Sequence, residues 1–453
     1  MRALSSVRRP AFLAAVAAVA SFLTGDPVAW AEPVSFKNAI APVLLENCLA
    51  CHGPKKAEAG YRVDTFEKAA AGGDSGLDGF LAGDVEGSEA VRRMLSEDAD
   101  ERMPLEADPL PPATVALLRT WIAEGAKYDG KDPQEALISI VPPPQHPAAP
   151  EKYPAALPAT AMVFSPDGSE LIVGGYHELT VWNPVDSQLL RRIGNVGERT
   201  YALDISPDGK LLAAAGGAPG KMGEVRLYDL ASGELVRALG RTSDVAYAVS
   251  FNPQGDRVAS GAADGLIRIY QTANGAETLV ISSHSDWVMS VAWSPDGKLL
   301  AAGSQDKTAK VFNAETGELM QTYNGHTEGV RGVAFHTDGK EVFSGSADKR
   351  LSQWKIEDGK KTSDVATFGD EILLVQAAGD WLLAAGADKT VRQFDRKSRN
   401  AIRSYAGLEE WALTAAAHPA TQRLAGGDFN GQVMVWNTET GELVVKFLAA
   451  PGQ

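Results

Sequence analysis

Along the first 130 residues the apolar positions recur at helical spacing in three short stretches. Phe36, Ala39, Ile40, Val43, Leu44 and Asn47 mark one face of a helix that runs into Cys48. Val91 and Leu95 mark a second, over Glu89 to Glu97. Val115, Leu118, Trp121 and Ile122 form the apolar stripe of a third, Thr114 to Ala123, started by Pro111-Pro112 and ended at Gly125. From residue 159 the pattern changes to strand-length apolar runs broken by turns. Ser165-Pro-Asp-Gly, Ser206-Pro-Asp-Gly, Asn252-Pro-Gln-Gly, Ser294-Pro-Asp-Gly, His336-Thr-Asp-Gly, Ala378-Gly-Asp and His418-Pro-Ala-Thr read as successive hairpin turns. A second series keeps the same register: Trp182, Tyr228, Tyr270, Phe312, Trp354, Phe394 and Trp436, spaced by 46, 42, 42, 42, 40 and 42 residues. A period near 42 predicts a ring of seven β-sheet blades. Between the two regions, residues 131–158 carry Pro133, Pro142, Pro143, Pro144, Pro147, Pro150, Pro154 and Pro158, a composition that favours an extended, semi-rigid spacer.

Composition agrees with two soluble domains: 453 residues, 44% hydrophobic and 22% charged, with 45 glycines for the many turns. The first 31 residues read as a leader and not as fold. Arg2, Arg8 and Arg9 precede an apolar run from Ala11 to Leu23, and Ala29-Trp30-Ala31 supplies the small residues of a cleavage site before Glu32. That run is shorter than the roughly 20 residues a spanning helix needs, which weighs against an uncleaved anchor. Nothing after residue 32 resembles a membrane span, so the mature chain is expected to be exported to the periplasm or an equivalent compartment. The net charge is −15; removing three Arg and one Asp with the leader leaves −17. Such a chain is unsuited to nucleic acid, whose binding depends on Lys and Arg against phosphate. A basic protein partner remains compatible with it.

The chain has two cysteines, both in Cys48-Leu49-Ala50-Cys51-His52. Cys-x-x-Cys alone would read as a redox dithiol, but the adjoining histidine changes the chemistry. Covalent haem needs two thiols spaced for two vinyl groups and an imidazole to ligate the iron. Cys48 and Cys51 are the expected thioether residues of one haem c, and His52 the proximal iron ligand. A zinc site would need further Cys or His nearby, and the surrounding sequence has none. The distal ligand must come from elsewhere. Met94 lies within a helical stretch, where methionine usually serves the core. Met103 follows that helix and precedes Pro104, on a segment kept out of the helical region, and is the favoured distal ligand. His146, in the proline-rich stretch, is the weaker alternative.

These residues belong to a wider ordered set: Ile40-Ala-Pro-Val-Leu-Leu, Cys48 to Gly53, Gly60-Tyr-Arg-Val-Asp64, Gly72-Gly-Asp-Ser-Gly76, Gly83-Asp-Val-Glu-Gly-Ser88, Arg102-Met103-Pro104 and Trp121 to Tyr128. In this the stretch from Ile40 to Tyr128 resembles the cytochrome c domain common in planctomycete proteins. The resemblance implies haem binding and electron transfer. It also implies Met103 as distal ligand, from the family's Met-Pro-Pro motif, although here the second proline is Leu105.

The repeats from 159 to 449 resemble the WD-repeat family. In the fifth, Gly325-His326, Ser344, Asp348 and Trp354 occupy the positions of that family's hydrogen-bonded His-Ser-Asp-Trp arrangement, so these residues are structural and not a catalytic triad. The fourth repeat keeps His284 and Asp306 but has Phe312, and the second carries an insertion around Ala218 to Gly223. The sequence leaves ring closure open: Glu442 to Leu448 supplies the last outer strand, and Leu137 to Val141 could add one.

The expected fold is therefore multidomain. A leader (1–31) precedes a small all-α cytochrome c domain (32–130), a proline-rich linker (131–158) and an all-β seven-bladed WD-repeat propeller (159–450). The expected function is electron transfer through one covalent haem, its iron held by His52 and Met103. The propeller would be a docking platform for a redox partner protein, which makes the chain an electron carrier more than an enzyme. Were Met103 not a ligand, the open iron would suit a haem enzyme or a gas or redox sensor. A scaffold is the third class.

Overall fold

A computed structural model describes residues 33–49, 51–53, 57–105, 107–141, 145–242 and 244–452. The leader expected over residues 1–31 lies outside the described residues. The chain divides into two compact units, with the division between Gln134 and Glu135.

The first unit is built from short helices and loops. Its opening turn, Phe36–Ile40, is π-helical and continues as α1, Ala41–Asn47. The Ser35 hydroxyl accepts from the Asn38 N–H at 2.9 Å, satisfying one of the free donors at this end. Then follow α2 (Phe66–Ala70), α3 (Glu89–Met94) and α4 (Pro112–Ala123). The helix expected over residues 89–97 stops at Met94, with Leu95 as its C-terminal cap, 48% exposed. Among the described residues this unit contains no strand. Phe36, Ile40, Leu44, Leu118, Trp121 and Ile122 are large side chains fully buried in it. Phe36 and Trp121 are in ring contact at 5.4 Å, so the first helical segment and α4 share one core. Gly125 ends α4 at φ +100°, a conformation that favours glycine.

The second unit is a seven-bladed β-propeller. Each blade is a four-stranded antiparallel sheet whose strands follow one another in sequence. In blade 1 these are β1 (Met162–Phe164), β2 (Leu171–Gly174), β3 (Leu179–Trp182) and β4 (Leu189–Ile193). The other blades span residues 199–242, 246–282, 288–323, 330–367, 372–405 and 412–448. First strands of neighbouring blades pack together around the axis, and fourth strands, half exposed, form the rim. The seven register aromatics sit on the third strands, and each is at most 7% exposed. Blades approach so closely that some second strands require glycine: a Cβ at Gly345 would lie 2.4 Å from a methyl of Val375 in the next blade. Leu137–Ile140 is a short helix, α5, and not the extra strand that its apolar run allowed.

The ring closes without exchanging a strand, because blade 7 is complete within residues 412–448. The junction is held by side-chain packing and short bonds. Met162, Phe164 and Leu171 share a core with Ala416, Ala425 and Val433. The Ala159 N–H donates to the Asp428 carbonyl at 3.0 Å, and Arg423 donates to the Gly168 carbonyl at 3.0 Å.

Candidate functional site

The cysteine-histidine motif begins where α1 ends. Cys48 caps the helix, its N–H donating to the Leu44 carbonyl at 3.0 Å. The chain then turns tightly, with the Cys51 and His52 N–H groups donating to the Cys48 carbonyl at 3.3 and 2.9 Å. Gly53 is obligatory in this turn: a Cβ there would lie 2.6 Å from the Leu49 carbonyl oxygen. The His52 carbonyl accepts from the Val63 N–H at 2.8 Å, which ties the turn to the Gly60–Asp64 segment. That segment is clamped in turn, since Asp64 accepts from Arg62 at 2.8 Å and from Lys68 at 3.3 Å.

The electrostatics oppose a redox dithiol. Reactive Cys-x-x-Cys thiols gain acidity from a helix N-terminus or a nearby cation. Here Cys48 stands at the opposite, carbonyl-bearing end of α1. Burial, reinforced by Cys51, pushes its thiol up to about 11. The two sulfurs are not bonded to each other, and Cys51 is exposed.

The donor set fits a haem. Two thiols flank a turn that ends on a buried imidazole, His52 (9% exposed), whose Nδ1 is wholly enclosed and, among the described residues, without a hydrogen-bond partner. Among the described residues no group of three or more His, Cys, Asp or Glu side chains gathers for a bare metal ion, so the motif does not form a zinc-type cage.

Met103 stands on the turn after α3, half-buried, its N–H donating to the Arg93 carbonyl at 3.0 Å. Met94 is 7% exposed and belongs to the core. His146 lies in the second unit, with its Nε2 on the Glu224 carboxylate. One neighbour of His52 carries no motif signal of its own. The Tyr61 ring meets the imidazole edge-on, centroids 5.3 Å apart. Burial, together with Cys48, pushes the Tyr61 phenol up. In the sequence Tyr61 shows only as one member of the Gly60–Asp64 run.

In blade 5 the polar side chains form a single directed chain. The Trp354 indole N–H donates to Ser344 Oγ at 3.2 Å, Ser344 Oγ lies 2.8 Å from His326 Nε2, and His326 Nδ1 lies 2.9 Å from Asp348. All four partners are satisfied if Ser344 donates to Nε2 and His326 carries its proton on Nδ1. Blade 4 holds half of this arrangement. His284 bonds Asp306 at 2.9 Å, but Ala302 and Phe312 stand where serine and tryptophan would complete it, and His284 Nε2 is buried without a partner.

One end of the ring carries the exposed aromatics. Trp287, Trp411 and Phe429 are 42, 49 and 51% exposed. Tyr201, Tyr247 and Trp287 make successive ring contacts at 5.3 and 5.6 Å across blades 2, 3 and 4. Tyr201, Tyr247, Trp411 and Phe429 line a central channel of about 740 Å³, together with Arg331 and Glu371.

Comparison with known families agrees with this division. Residues 48–106, from Cys48 to just beyond Met103, match the family described as Planctomycete cytochrome C. Residues 233–271, 275–313 and 317–355 match the WD domain, G-beta repeat. Each matched repeat spans the outer strand of one blade and the three inner strands of the next. No curated protein matches the chain. The chain thus joins a planctomycete-type cytochrome c domain to a WD-repeat propeller.

Proposed function

We propose that this chain is an exported c-type cytochrome that carries electrons through one covalent haem, with the propeller as the surface on which its redox partner docks. Cys48 and Cys51 are the thioether residues, His52 the proximal iron ligand and Met103 the distal one. The observation that carries the reading is the motif's setting: Cys48 at the carbonyl end of a helix, in one turn with a buried histidine whose Nδ1 has no partner among the described residues. A cysteine at the carbonyl end of a helix lacks the activation that thiol-disulfide exchange needs, and the adjoining histidine supplies the iron ligand that covalent haem requires. Bound haem supplies one-electron ferric–ferrous chemistry, and His-Met ligation leaves no open position for substrate. The aromatic rim supports the docking role, because Trp, Tyr, Phe and Arg side chains gathered at one end of the ring, with Trp287, Trp411 and Phe429 exposed, are the composition of interface hot spots.

The test uses protein purified from the exported fraction. Denatured protein should retain one haem per chain by the pyridine haemochrome assay. The reduced native protein should not take up carbon monoxide. Haem lost on denaturation would refute the attachment. Fast stoichiometric binding of carbon monoxide would refute the electron carrier and point to an open-iron sensor or enzyme.

A further inference from the structure

We propose that Tyr61 is a positioning residue that fixes the rotation of the His52 imidazole; this rests on the reading of His52 as an iron ligand. The Tyr61 ring meets His52 edge-on at 5.3 Å with the planes at 63°, so rotation of the imidazole about its Cβ bond would drive it into the phenol. The phenol is itself pinned at both ends. Its hydroxyl donates to the Ala69 carbonyl at 2.8 Å, which attaches it to α2. Two glycines make room for it: a Cβ at Gly79 would lie 2.5 Å from the Tyr61 hydroxyl, and one at Gly73 would lie 3.0 Å from the Tyr61 Cβ. The backbone holds the same pair together, since the Val63 N–H, two residues beyond Tyr61, donates to the His52 carbonyl.

A histidine ligand usually has its ring plane set by a hydrogen bond from Nδ1. Among the described residues His52 Nδ1 is enclosed and has no such partner. Orientation must therefore come from packing, and Tyr61 is the aromatic ring in contact with the imidazole. The same ring shields His52 from water, and exclusion of water from a ligand favours the ferrous state by disfavouring the extra charge of the ferric one.

The test compares holoprotein of the wild type, Tyr61→Phe and Tyr61→Leu. Readouts are haem per chain, the g values of the ferric low-spin electron paramagnetic resonance signal, and the reduction midpoint. Tyr61→Leu is expected to keep its haem while its g values shift and its midpoint falls. Tyr61→Phe keeps the ring but loses the Ala69 anchor; its midpoint should stay near wild type while its signal broadens. A Tyr61→Leu protein with full haem and wild-type g values and midpoint would overturn the positioning role and leave the haem reading intact. Wild-type protein without covalent haem would overturn both. Should Tyr61→Leu fail to fold, Tyr61→Phe decides: a broadened signal supports the role, and an unbroadened one refutes it.

Discussion

The His146 imidazole rests on the carboxylate of Glu224, which also lies 2.9 Å from the Arg226 guanidinium on the same strand of blade 2. Glu224 and Arg226 are 3 and 1% exposed. Arg226 also donates to the main-chain and side-chain oxygens of Asn195, each at 3.0 Å. The Asn195 side chain in turn accepts from the His146 N–H at 2.9 Å. Residues 146–153 are fastened to blades 1 and 2 in this way, with a second buried carboxylate, Glu178, taking Tyr153 and Arg192. Glu224→Leu should therefore cost about 3–5 kcal/mol, because it leaves the Arg226 charge buried. Replacing both partners, Glu224→Leu with Arg226→Met, should cost clearly less than the single change. Urea denaturation of the three proteins checks this ordering.

The contrast between blades 4 and 5 gives a gain as well as a loss. Ser344→Ala removes the shared partner of Trp354 and His326 and should destabilise the propeller by about 1–3 kcal/mol. Ala302→Ser should do the reverse, since a hydroxyl there would meet the unpartnered His284 Nε2, with a gain of about 1 kcal/mol. Hydrogen exchange in blades 4 and 5 reads the two effects separately. A loss of protection in the Ala302→Ser protein would show that the added oxygen does not reach the imidazole.

The same histidines make the propeller sensitive to acid in two windows. Burial holds His284 and His326 below their ordinary value of 6.5, in spite of the carboxylates beside them. A depressed folded value means that the unfolded chain binds the proton first. Their contribution is therefore complete above about pH 6.5 and is lost as pH falls through the lower folded values. Burial tends to raise Asp348, yet hydrogen bonds led by His326 hold it below 3.8. Asp306 is held in the same way, by Thr308 and His284, to about 2. These two stabilise above about pH 4, and their contribution fades in stronger acid. Thermal melts from pH 8 to pH 3 should fall in both ranges, and His326→Asn should flatten the upper one. A wild-type melting point unchanged between pH 7 and 5 would count against neutral buried histidines.

What the sequence makes legible are the parts with a period. The seven aromatics announce seven blades because each occupies the same buried position of a third strand, and local repetition carries that information. The haem motif is legible because its chemistry fits within five consecutive residues. The contacts that were not legible join residues far apart. Tyr61 meets His52 at a separation of nine residues, and Glu224 meets His146 across 78 residues. Neither pair has a spacing that a helix or hairpin would dictate. Ring closure is not legible for the same reason: it depends on Ala159 meeting Asp428, a contact of the whole ring and not of any one repeat.

The two methionines near α3 separate ligation from packing. Met94 is enclosed in the core of the first unit, so Met94→Ala should cost about 2–5 kcal/mol of stability and leave the iron's spectrum unchanged. Met103 lies half-buried on a turn held by the Arg93 carbonyl, where truncation removes little packing. Met103→Ala should therefore keep the fold while abolishing the thioether-to-iron absorption band at the red end of the oxidised spectrum. Its reduced form should then take up carbon monoxide, which the wild type should not. Far-ultraviolet circular dichroism, the red band and the carbon monoxide difference spectrum together distinguish the cases. A band lost in Met94→Ala but kept in Met103→Ala would move the ligand onto the helix. A band absent from the wild type would remove thioether ligation altogether, and with it the reason to expect a closed iron.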